Sequence, residues 1–115
     1  MIRTYLELKI KPGAAKAFAD VFKDEEVLDN SVAQPGCHSA ELTISADGLR
    51  AIVTAVWDDV AAYERWTSRS DRTTILDCLR PYLGEELEPN LVSPPFDVAV
   101  SGSSITLSSN DEEAL

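Results

Sequence analysis

The sequence is poor in the residues from which metal and redox centres are usually built. It holds two cysteines, Cys37 and Cys78, and a single histidine, His38. The thiols lie far apart, form no CxxC pair and make no zinc site by themselves. One imidazole cannot build a histidine metal cluster within one subunit. The phosphate-cradling and zinc-hydrolase signatures GxGxxG, P-loop and HExxH are missing as well. No apolar run approaches the ~20 residues that a membrane-spanning helix needs. Positive charge is also short. Lys and Arg total 10 against 20 Asp and Glu, a formal net charge of -10. Such a surface repels phosphate backbones and anionic lipid, which argues against nucleic-acid and membrane partners. The opening stretch Met1-Ile2-Arg3-Thr4-Tyr5-Leu6-Glu7 alternates polar and apolar residues. It lacks the basic start and apolar run of a signal peptide. The expected location is therefore the cytoplasm, with both thiols reduced.

What the chain does have is an ordinary globular balance. It has 115 residues, 44% hydrophobic and 26% charged, enough for one domain with one modest core. Residues 2–11 alternate, with Ile2, Thr4, Leu6, Leu8 and Ile10 on one face and Arg3, Tyr5, Glu7, Lys9 and Lys11 on the other. That period of two predicts a half-buried strand, ended by Pro12-Gly13. Residues 14–30 read as one helix, since Ala14, Phe18, Val21, Phe22 and Leu28 recur at helical spacing. After the turn Gln34-Pro35-Gly36, residues 37–45 form a strand with Ala40, Leu42 and Ile44 on one face. Asp47-Gly48 is a hairpin signal, and residues 49–57 make a third strand that is apolar on both faces. Asp58-Asp59 opens a helix carrying Val60, Tyr63 and Trp66. Asp71 caps a second helical piece with Ile75, Leu76, Leu79 and Leu83, which Pro81 disturbs. Residues 84–95 connect, and Phe96, Val98 and Val100 alternate as a short fourth strand. These elements define a domain over residues 1–100. Residues 101–115 form a polar, acidic tail, at least partly disordered, in which only residues 105–107 have much to bury.

The order βαββαβ is the split βαβ pattern of an α+β, ferredoxin-like fold with an antiparallel sheet. Two helices can cover only one face of such a four-stranded sheet. The third strand is nonetheless apolar on both faces, so a second copy of the chain is expected to cover the other, making a homodimer.

Three stretches then carry a resemblance: Lys11-Pro12-Gly13 before a helix, Gln34-Pro35-Gly36-Cys37 before the hairpin, and Val56-Trp57-Asp58-Asp59-Val60-Ala61-Ala62-Tyr63-Glu64-Arg65-Trp66. Over residues 2–83 the chain resembles the antibiotic biosynthesis monooxygenase family of the dimeric α+β barrel superfamily. The resemblance implies a barrel formed across the dimer and a pocket between helices and sheet in each subunit. It also implies oxidation of an aromatic polyketide, or a related phenol or quinol, with molecular oxygen as co-substrate and no cofactor. Non-oxidative cyclisation or rearrangement of the same substrates, and non-catalytic small-molecule binding by the dimer, remain as alternatives.

Candidate site residues follow. Trp57 and Tyr63 match aromatic positions that line the pocket of polyketide-oxidising relatives, and Trp66 matches a pocket tryptophan of haem-degrading ones. Aromatic rings can stack on a flat substrate, and each indole can donate one N–H. The same spacing also suits ordinary core, and both readings stand at this point. His38 is the natural base, because its charge changes near neutral pH. Val53 and Phe22 are further candidates for the substrate wall. Val53 replaces a polar amide of the polyketide-oxidising relatives, and Asp77 stands where they carry an arginine. Leu76 and Leu6 replace the histidine and asparagine of the haem-degrading pattern, so haem ligation by a histidine there is not available.

Overall fold

The computed structural model describes residues 1–84 and 92–102. The alternation at the start of the chain becomes β1 (Ile2–Lys9). Ile2, Thr4 and Leu8 are buried, while Tyr5, Glu7 and Lys9 face water. The strand is shorter than expected, and Ile10 continues it only as an isolated bridge to Leu83.

The first helix is broken where one continuous helix was expected. α1 (Ala15–Asp24) and α2 (Val27–Val32) are separated by Glu26, whose φ of 52° is left-handed. The packing explains the break. From Phe18 to Val27 is nine residues, about 2.5 turns, so a straight helix would point the two side chains in opposite directions. The break lets both enter one core, where Phe18 is 0% and Val27 9% exposed.

β2 (Cys37–Ile44) and β3 (Arg50–Trp57) form the expected hairpin. Gly48 supplies the positive φ, and the Asp47 carboxylate accepts from the Ser45 hydroxyl and the Leu49 N–H. α3 (Val60–Thr67) starts where Asp59 accepts the Ala62 N–H at 2.9 Å. α4 (Ser70–Leu79) begins after Arg69 rather than at an Asp71 cap, and passes into a single 3-10 turn, Arg80–Tyr82, at Pro81. β4 is only Phe96–Asp97, because its register runs off the start of β1: Asp97 pairs with Ile2 and Val98 bonds the Met1 carbonyl. The expectations for residues 85–91 and for the tail beyond residue 102 fall outside the described residues.

The sheet order is β2-β3-β1-β4, antiparallel throughout. One face meets the helices. The other, carrying Arg3, Tyr5, Glu7, Ile52, Thr54 and Val56, has no helix upon it, and Tyr5 and Ile52 remain 46% and 38% exposed. Among the described residues no helix is long and apolar enough to cross a membrane.

Candidate active site

The inner face of the sheet divides into two buried clusters. One is apolar and gathers Leu8, Ile10, Phe18, Phe22, Ala51, Leu76 and Leu79. The other gathers Trp57, Tyr63 and Trp66 with Ile2, Ala55 and Ala62. Trp57 comes from the end of β3, and Tyr63 and Trp66 from α3. The helix spacing of three places these two side by side. The Trp57 and Tyr63 rings lie 5.6 Å apart, tilted by 59°. Trp57 is 1% exposed and Tyr63 and Trp66 are each 8%. The three aromatic residues singled out in the sequence are thus brought together.

Polar groups pin this cluster. The Trp57 indole N–H donates to the Thr4 hydroxyl at 3.3 Å. Thr4 stands on the buried face of β1, so its hydroxyl needs an inward partner. The Ser93 N–H donates to the Tyr63 hydroxyl at 2.9 Å, and the Tyr5 N–H donates to Ser93 Oγ at 2.8 Å. Ser93 therefore ties β1 to α3. Arg72 of α4 is buried. Burial pushes its guanidinium below the ordinary arginine range, and the neighbouring Tyr63 acts in the opposite direction. Asp77 instead pairs with Arg80 at the surface. The buried arginine of this helix is Arg72. The spacing of Arg72, Leu76 and Leu79 would have found it, since i, i+4 and i+7 share one helix face. Ser93 gave no such signal, because it lies in a connector and meets Tyr63 only in the fold.

His38 lies at the rim. The β2–β3 register passes from Cys37↔Trp57 to Ser39↔Val56, leaving His38 as the extra residue of a β-bulge. Its Nε2 meets Asp58 Oδ1, and both side chains are exposed. Cys37, beside it, packs against the aromatic cluster, and burial pushes its thiol up from the ordinary value. Val53 and Phe22 belong to the apolar cluster and not to the aromatic one; Leu6 packs there too, and Leu76 is part of its core. Among the described residues no three His, Cys, Asp or Glu side chains group as metal ligands. Two grooves of about 460 and 270 Å³ lie along the outer face, and neither is lined by Trp57, Tyr63 or Trp66.

A four-stranded antiparallel sheet with helices on one face, in this strand order, defines a ferredoxin-like α+β protein. The family model for antibiotic biosynthesis monooxygenase matches residues 1–75 of the 115, and the chain belongs to that family. Solved structures agree in fold. A Nitrosomonas europaea protein assigned to the same family superposes with a TM-score of 0.69 at 15% identity, over 87% of this chain and 100% of that one. A Deinococcus radiodurans protein with the same assignment gives 0.69 at 13%, over 90% and 97%. A variant of SnoaB, a cofactor-independent oxygenase of Streptomyces nogalater, gives 0.67 at 20%, over 87% and 94%. No curated protein matches the chain.

Proposed function

We propose that the protein is a cofactor-independent monooxygenase of secondary metabolism. It acts in the cytoplasm as a homodimer and oxidises an aromatic polyketide or a related phenol or quinol. The observation that carries this reading is the convergence of Trp57, Tyr63 and Trp66 in a member of this family. The substrate supplies the electrons, because a phenolate is far easier to oxidise than the phenol. The protein binds it, orients it, excludes water and takes the phenolic proton. Anthrone is a suitable probe, since its enol is a phenol. One oxygen atom of O₂ ends in the new quinone carbonyl and the other in water, and the two hydrogens of the substrate methylene go to that water.

Metal-free, colourless protein should take up oxygen with anthrone. His38→Gln should lower the rate by the ~10²–10⁴-fold typical of losing a general base. A requirement for added flavin or iron would overturn the mechanism, and product without oxygen uptake would indicate cyclisation or rearrangement. A second reading, a non-catalytic binding protein, is favoured by the closed packing of Trp57, whose N–H is already taken by Thr4. Absence of any product with a panel of polyketide phenols would favour it.

The homodimer forms through the uncovered sheet face. Sedimentation at micromolar concentration should show a dimer that Ile52→Lys dissociates, since burying an unpaired ammonium is costly. A stable wild-type monomer would refute it.

A further inference from the structure

We infer that Asp58 is the positioning residue of His38: its carboxylate holds the imidazole Nε2–H and leaves the Nδ1 lone pair to take the proton of a phenolic substrate. The inference rests on the reading of His38 as the base of the proposed reaction.

The division of labour between the two adjacent aspartates is the first support. Both precede α3, and either is a residue type that caps a helix. Asp59 does so, through the Ala62 N–H. The Asp58 carboxylate is directed instead to His38 Nε2. An ionised carboxylate only accepts, so a neutral ring held by it donates through Nε2, and Nδ1 is then the nitrogen with the lone pair.

The second support is the bulge. In a regular ladder His38 would take the place opposite Val56 that Ser39 occupies. The extra residue re-aims the side chain, a device found beside active sites. The backbone around the pair is also fixed. The Asp58 N–H donates to the Gly36 carbonyl at 2.8 Å. Gly36 has a φ of +86°, and a Cβ there would come 2.7 Å from the Ala62 Cβ. The turn before His38 is thus pressed onto α3, which holds the backbone on both sides of the pair.

The third support is location. Cys37 and Trp57, the neighbours of His38 and Asp58, face each other across the β2–β3 ladder, and both belong to the aromatic cluster. The pair therefore stands at the rim of the cluster, with side chains 45% and 59% exposed. In the step itself the phenol O–H bond breaks and its electron pair stays on oxygen. An Nδ1–H bond forms, and the imidazolium charge faces Asp58. The phenolate is the species that molecular oxygen then oxidises.

Because His38 is the only histidine, its ring nitrogens can be read without ambiguity by ¹⁵N NMR. The neutral wild-type ring should be the Nε2–H tautomer, and Asp58→Ala should give a mixture. With anthrone as probe, Asp58→Asn keeps an acceptor but loses the charge. It should lower kcat on the order of tenfold or more, with KM and Tm unchanged, and Asp58→Glu should recover most of the loss. A merely structural ion pair would leave kcat alone. A dominant Nδ1–H tautomer in the wild type overturns the inference whatever the activity. An unchanged kcat in Asp58→Asn, while His38→Gln is slow, overturns it and leaves His38 as the base. If both variants keep full rate, the base reading fails and this inference with it.

Discussion

The two ends of the helix–sheet layer are built on different terms. At one end Phe18, Phe22, Leu76 and Leu79 close over Leu8, Ile10 and Ala51, held by shape and exclusion of water. At the other, Trp57, Tyr63 and Trp66 are threaded with hydrogen bonds to Thr4 and Ser93 and lie near buried Arg72. An apolar cluster is insensitive to direction, so its residues can be exchanged if volume is kept. A cluster with buried donors and acceptors is directional, because each lost partner leaves a desolvated polar atom. Among the described residues, the side chains named in the first cluster are all apolar and have no such polar partners.

This contrast can be broken by mutation. The largest effect is expected at the apolar end. Phe18→Ala should cost about 3–5 kcal/mol in denaturant melts, since it leaves a cavity at a side chain with no exposed surface. Phe18→Leu should recover most of that. At the aromatic end, Tyr63→Phe keeps the ring and strands the Ser93 N–H, for about 1–3 kcal/mol. A cost near zero would mean that the hydroxyl pins nothing, and the two ends would then be alike. The smallest effect concerns Cys37. Burial raises its thiol pKa, so its stabilising contribution is complete below the ordinary thiol range and is lost as pH rises through the raised value. Wild-type Tm should therefore fall more steeply at alkaline pH than that of Cys37→Ala. Parallel curves would show that the thiol is not desolvated where it touches the aromatic cluster.

Much of the site was legible before the fold, though unevenly. Trp57, Tyr63 and Trp66 were picked out by their spacing and by the resemblance of their stretch, and they do meet. Thr4 was visible as the one polar residue on the buried stripe of β1. Arg72 is legible on the stripe of Leu76 and Leu79, with which it shares a helix face. Phe22 and Val53 stand beside the rings as substrate-wall candidates, Val53 because it occupies the place of an amide in polyketide-oxidising relatives. Facing inward does not say which end of the layer a side chain joins, and these two join the other cluster. Ser93 and the pairing of His38 with Asp58 had no local signal, since contacts across 30 and 20 positions depend on the register of distant segments.

The sequence by itself determined the alternation of β1, the Asp47-Gly48 hairpin, the Asp58-Asp59 start of α3 and the inward faces of β1 and β2. These follow from local rules: side chains alternate in a strand, positive φ favours glycine, and a carboxylate satisfies free N–H groups at a helix start. Only the tertiary structure decided the break at Glu26, the bulge at His38 and which aspartate meets the imidazole. Each of these is a compromise between segments. Val27 reaches the core of Phe18 only if the helix bends, and Asp58 is available to His38 only because Asp59 has taken the cap. Such choices minimise the energy of the whole packed layer, and no window of neighbouring residues contains the terms that settle them.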